Sequence, residues 1–197
     1  EKPLEAYTSF LDFFTRRLKP GSRPQAALGP GAINSPVDAV VIAEGTIEGE
    51  TLMQAKGLPY RIDELLDRDR YTERFVGGRY LTLYLAPKDY HRIHVPFQGR
   101  CLAVGRVEGE LWPVNEASTA FTPRLYVRNR RAYWIAEGRG SAEGLWVAAV
   151  MVFSVALMTA SVSFVDRPAF SATAAISSAL FMVFPPKFIS FVLSSYI

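Results

Sequence analysis

Gly77-Gly78-Arg79-Tyr80-Leu81-Thr82-Leu83-Tyr84-Leu85-Ala86-Pro87 is the stretch on which the reading of the fold turns. The glycine pair marks a turn. Tyr80 to Leu85 after it is short, apolar and aromatic, and reads as a strand. Pro87 has no N–H to give to a ladder and closes that strand, and a polar loop follows. Working outward, Ala39 to Ile42 is short and β-branched and reads as another strand. Gly99, Gly105 and Gly109 punctuate further short strands, and Ile62 to Leu66 suits one helical turn with Leu65 and Leu66 facing inward. Upstream, Leu4, Tyr7, Phe10, Leu11, Phe14 and Leu18 recur at helical spacing and predict a helix from Leu4 to Leu18, ended by Pro20-Gly21. The expected class is α+β, mainly β: an N-terminal helix, one β-rich domain over residues 1–150, and a hydrophobic tail over residues 151–197.

The charges divide the chain in the same place. Of 41 charged residues only Asp166, Arg167 and Lys187 lie after Gly144. Leu145 to Val165 is 21 residues without a charge, long enough to cross a bilayer as a helix. The other reading of its first part, Leu145 to Met151, is a buried strand, because short Val/Ala runs serve cores as well as membranes. Arg128, Arg130, Arg131 and Arg139 precede the stretch and, if it spans, would keep the domain on the cytoplasmic side. A net charge of +3 is too small for a nucleic-acid module but suits an anionic membrane surface. Cys101 is the only cysteine, so no disulfide forms within the chain, which fits a reducing compartment. A first residue of Glu1 rather than Met marks a chain processed, trimmed or read from a fragment.

Residues able to do chemistry are few. The two histidines, His91 and His94, lie in Tyr84-Leu-Ala-Pro-Lys-Asp-Tyr-His-Arg-Ile-His-Val-Pro96. If this run is extended, His91 shares a face with Ile93 and Val95, and His94 shares one with Arg92. That makes His94 the polar-site histidine and His91 the packed or supporting one. A zinc site is not expected, since no third ligand is near. Asp38, in Ser35-Pro36-Val37-Asp38, reads either as a turn residue or as a carboxylate that orients an imidazole.

These residues carry a resemblance. Phe13-Phe14-Thr-Arg16-Arg-Leu18-Lys-Pro20-Gly-Ser-Arg23-Pro24, Ser35-Pro36-Val-Asp38-Ala-Val40, Gln54-Ala-Lys56-Gly57 with Tyr60 and Leu65-Leu66, the histidine run, Gly109-Glu-Leu111-Trp-Pro113-Val114-Asn115, and Asn129-Arg-Arg131 follow one another in order. The series resembles the phosphatidylserine decarboxylase family from about residue 1 to Val152. One departure is Arg130, where the family has an acidic residue.

The resemblance implies a pyruvoyl-dependent proenzyme that converts phosphatidylserine to phosphatidylethanolamine and carbon dioxide, with the pyruvoyl group made from a serine in a Leu-Gly-Ser-Thr motif. It implies that Asp38 and His94 belong to an Asp-His-Ser relay and that His91 supports it. It also implies work at the cytoplasmic side of the inner membrane, and leaves room for a homo-oligomer. No nucleic acid or metal partner is implied. The pyruvoyl-forming serine does not carry over: Leu-Gly-Ser-Thr is absent, and the only Gly-Ser pairs are Gly21-Ser22 and Gly140-Ser141. A frameshift or truncation explains this, and so does a genuine membrane tail. The chain is therefore expected to be inactive alone, and the alternative to a decarboxylase is a non-catalytic, membrane-anchored remnant.

Overall fold

The computed structural model describes residues 2–24, 32–53, 58–86, 88–154, 178–184 and 191–192. Tyr80 to Leu85 is a strand as expected: β5 spans Arg79–Tyr84, between β2 (Val40–Thr46) and β9 (Ser178–Phe184). Short pairings surround this group: β1 (Ile33–Asn34) beside β10 (Phe191–Val192), and the ribbon of β3 (Thr51–Met53) and β4 (Pro59–Arg61). The remaining strands are β6 (Gly99–Val107), β7 (Arg131–Gly138) and β8 (Trp146–Val152). One six-stranded antiparallel sheet results, in the order β2-β5-β9-β8-β7-β6.

Both faces of this sheet are covered, and that decides how its sequence reads. On β7, Ala132, Trp134 and Ala136 enter one core while Tyr133 and Ile135 enter the other. On β8 the same alternation sends Val147, Ala149 and Met151 one way and Ala148, Val150 and Val152 the other. A strand buried on both sides has no polar face, so its sequence is one apolar run. The reading of Leu145 to Val165 as a single spanning helix is therefore corrected: its first part is β8, hydrogen-bonded to neighbours on both sides. Residues 155–165 lie outside the described residues. Among the described residues no helix is long and apolar enough to cross a membrane.

The first core lies under β1 and the loop from Leu85 to Phe97. The second lies under β4, helix α2 (Ile62–Leu65) and helix α4 (Leu125–Arg128), with Leu65 and Leu66 fully buried as expected. Arg131 ties this second layer together. Its guanidinium donates to the carbonyls of Glu64, Leu65, Val127 and Asn129, at 2.6, 3.0, 2.5 and 3.3 Å. Carbonyls at the C-terminal ends of two short helices thus share one buried cation. Asn129 is equally committed: its Nδ2 donates to Trp112 and Phe153 carbonyls and its Oδ1 accepts from the Trp112 N–H. The Asn129–Arg131 motif is structural. Arg130, the departure between them, points to Glu108 at 2.8 Å.

Two other expectations change. The N-terminal helix is two pieces, a 3-10 turn at Leu4–Ala6 and helix α1 at Phe10–Phe14. Ser9 divides them because its Oγ accepts the Asp12 N–H and starts a new helix there. Gly105 does not end a strand. It lies within β6 opposite Tyr133 of β7, whose ring covers it. Gly45 of β2 faces Tyr80 of β5 in the same way.

Candidate active site

The histidine run is irregular rather than a strand, and two turns shape it. Ser35 Oγ donates to the Val37 carbonyl at 2.7 Å and closes the Ser-Pro-x-Asp turn. Asp89 accepts from the Ala86 N–H at 2.7 Å and returns its own N–H to the Ala86 carbonyl, closing the turn before the histidines. The two loops are laid side by side by backbone bonds, His94 N–H to the Pro36 carbonyl at 2.8 Å and Asn34 N–H to the Pro96 carbonyl at 2.9 Å. Asp38 and His94, 56 positions apart in sequence, are thereby brought to one region.

Each then has a first partner other than the other. Asp38 accepts a fork from Arg23, with Nε at 2.9 and 3.0 Å and Nη2 at 2.5 Å. His94 Nε2 is hydrogen-bonded to the Tyr90 hydroxyl at 3.0 Å, and the two rings stack. The residue is exposed, yet desolvation of the ring holds its pKa below the usual imidazole value. The Asp38 carboxylate opposes that shift, and the cations Arg92 and Arg23 reinforce it. The result is an imidazole that is neutral at neutral pH and electrostatically coupled to Asp38, as a base requires.

His91 is the packed histidine. It is 1% exposed, and its ring lies 3.8 Å from that of Phe14, centroid to centroid. Its Nδ1 donates to the Asp89 carbonyl at 2.8 Å, which leaves Nε2 as a buried acceptor with no hydrogen-bond partner. Burial pushes its pKa down, and the carbonyls of Asp89 and Leu85 oppose this. The face argument gave the right assignment for another reason: Val95, expected beside His91, is 39% exposed, so the alternation of a strand does not operate here.

Two arginines fix the loop to the N-terminal segment. Arg92 donates to the carbonyls of Thr15 and Arg16, which directly follow α1. Arg16 donates back to the carbonyls of Lys88 and Asp89. Between these segments lies a cavity of about 400 Å³ lined by Arg17, Lys19, Ser22, Arg23, Tyr90, Arg92 and His94, among others. A second, of about 390 Å³, lies on the Asp38 side, so that Arg23 and Tyr90 border both. Sequence reasoning missed Arg23 and Tyr90. Both stand in the quoted motifs, yet no spacing rule joins position 23 to position 38. Among the described residues no group of three His, Cys, Asp or Glu is placed to hold a metal.

The pyruvoyl group implied by the resemblance finds no precursor among these residues. Ser22 lines the His94 cavity, but it belongs to the opening motif Leu18-Lys-Pro20-Gly-Ser-Arg23-Pro24 and not to a cleavage sequence. Ser141 stands in the exposed turn Gly140–Ala142 between β7 and β8. Neither is in a Leu-Gly-Ser-Thr sequence, so the residues present do not fit the group.

Comparison with known proteins covers this whole region. The sequence model described as Phosphatidylserine decarboxylase matches residues 10–194, beyond Val152 where the quoted motifs end. The phosphatidylserine decarboxylase proenzyme of Anaeromyxobacter sp. (strain K) is 46% identical over 134 residues, 68% of this chain and 47% of that protein. Those of Coxiella burnetii (strain RSA 331 / Henzerling II) and Methylococcus capsulatus are 44% and 42% identical over 151 and 154 residues, 76% and 77% of this chain and 53% of each relative. The chain spans about half the length of these curated relatives. With the family model matching residues 10–194 and relatives above 40% identical over two thirds or more of the chain, the chain belongs to the phosphatidylserine decarboxylase family.

Proposed function

We propose that this chain is the His94-bearing part of a decarboxylase that converts phosphatidylserine to phosphatidylethanolamine and carbon dioxide. The observation that carries the reading is the placement of Asp38 and His94 in one region, with Arg23 on the carboxylate and Tyr90 on the imidazole, and with both of these bordering the two adjoining cavities. Such an arrangement holds and moves a proton at His94: Arg23 aims the Asp38 carboxylate, and Tyr90 fixes the ring. In the family the self-generated pyruvoyl group supplies the electron sink for carbon dioxide loss. Its serine is absent from these 197 residues, so the chain alone neither cleaves itself nor decarboxylates. The domain boundary is proposed near residue 150, the working place at the cytoplasmic face of the inner membrane, on an anionic surface, and a homo-oligomeric state is compatible with both.

The missing serine favours a second reading, a non-catalytic remnant that still holds lipid headgroups. Co-expression of the full chain with the C-terminal half of the Anaeromyxobacter relative separates the two. Phosphatidylethanolamine formation that disappears in His94→Gln and Asp38→Asn is the expected result. A pair that assembles but never releases carbon dioxide would leave the remnant.

A further inference from the structure

The opening motif clasps the histidine loop through Arg16, and it carries further cations that this clasp does not use. Arg17 and Lys19 are exposed, and among the described residues neither has a carboxylate partner. Both face the cavity that holds His94. Among the described residues no carboxylate lines that cavity. Arg92 completes its wall and cannot swing away, because its Nε and Nη2 are bound to backbone carbonyls at 2.7–3.1 Å. The charge of Arg17 reaches Arg92, which together with burial pushes the Arg92 pKa down. Of the four cations that line this space Arg23 is paired with Asp38, and the other three, with no acid bound to them among the described residues, form a site whose missing component is an anion.

We propose that this cavity binds the phosphodiester of a lipid headgroup, with Arg17 and Lys19 as its mobile ligands and Arg92 as its fixed one. The inference rests on the decarboxylase reading for the identity of the lipid but not for the chemistry of the site. A phosphodiester carries one negative charge at every working pH and offers two terminal oxygens. Lys19 meets such an anion as a point charge, and Arg17 meets it as a fork. Seating the phosphate here sets the headgroup beside His94 rather than on the Asp38 side, where Asp38 and Asp89 stand among the cations Arg16, Arg23 and Lys88 of the second cavity and compete for them. The cavity of mixed charge and the basic one then flank the Arg23–Asp38 pair, with Tyr90 bordering both.

The test uses the full chain and two soluble probes, glycerophosphoserine and inorganic phosphate, titrated while NMR follows the amides of residues 17–23 and the two histidine rings. The expected result is saturable glycerophosphoserine binding that shifts these amides and the His94 ring and leaves the sealed His91 ring unmoved. Arg17→Gln/Lys19→Gln should weaken it by at least about tenfold. Both side chains are exposed, so the variant should keep the parent melting temperature. Arg79→Gln, at the far end of β5 from the histidine loop, should bind as the parent does. Binding of phosphate but not of glycerophosphoserine overturns the headgroup assignment. Headgroup binding indifferent to the double substitution overturns the site, even beside an active co-expressed pair. A pair that never decarboxylates, with headgroup binding lost in the double variant, defeats the decarboxylase reading and leaves the site standing.

Discussion

At the residue scale the site is an arrangement of charges around one imidazole, and its coupling is measurable because the chain has only two histidines. The Asp38 carboxylate favours the imidazolium of His94, while Arg23 and Arg92 disfavour it. Asp38→Asn should therefore lower the His94 pKa further, and Arg23→Gln should raise it, each read from the pH dependence of the ring resonances. A His94 titration that ignores Asp38→Asn would end the claim that the two residues act together. Arg131 is a second residue whose neighbours define its work. Arg131→Met strips hydrogen bonds from four carbonyls and should cost about 2–4 kcal/mol in urea unfolding. Arg131→Lys should recover part of that and not all, since an ammonium has no fork to span two helix ends. Asp38, His94 and His91 could be singled out in the sequence as candidates, because the motif series located them, and the packing of His91 and the exposure of His94 followed the expected division. Arg23 and Tyr90 were not legible as partners, since their meeting depends on how two loops are laid against each other.

At the element scale the sheet shows why strands read unequally well. Tyr80 to Leu85 was recognisable because a glycine turn and a proline bracket it. β8 was recognisable only as apolar, and an apolar run is ambiguous between a membrane and a core covered on both sides. The helix predicted from Leu4 to Leu18 has the right spacing, but Ser9 begins it anew and Arg92 takes the carbonyls of Thr15 and Arg16, so only five residues remain in α1. β6 was mis-divided at Gly105, where glycine makes room for the Tyr133 ring rather than a turn. A Cβ at Gly105 would stand 2.3 Å from that ring. Gly105→Val should thus cost about 1–3 kcal/mol in thermal or urea unfolding. It should also loosen the Tyr133 hydroxyl from Asp69, to which it donates at 3.1 Å. Burial, with the Asp69 charge, pushes that phenol up to about 12, so the variant should ionise nearer to 10 in an ultraviolet titration. An unchanged phenol titration would mean the ring does not depend on the glycine.

At the scale of the whole molecule, the sheet and the tail are not separate matters. β9, from the stretch that reads only as uncharged and apolar, pairs with β5 on one side and β8 on the other. Nothing in composition reveals that a segment near residue 180 completes a sheet begun near residue 40, because pairing across such separations leaves no local pattern. The chemistry of the whole chain makes an equally definite expectation. Decarboxylation needs an electron-withdrawing group conjugated to the bond that breaks, and no standard side chain supplies a ketone. Purified protein should therefore give one species at 21.9 kDa by intact mass, with no hydrazine-reactive carbonyl. Two fragments would contradict this, and Ser22, which lines the His94 cavity, would be the first junction to inspect, ahead of Ser141.

The paired arginines that join the opening segment to the histidine loop have a consequence in time as well as in space. Arg16 and Arg92 each hold backbone carbonyls of the other's segment, so neither segment can open without releasing the other. Amide hydrogen exchange should find residues 13–16 and 88–92 behaving as one cooperative unit, with a single opening free energy below that of the sheet. The proton-handling groups would then be assembled together or dispersed together, and the fraction of molecules able to act would be set by one local equilibrium rather than by several.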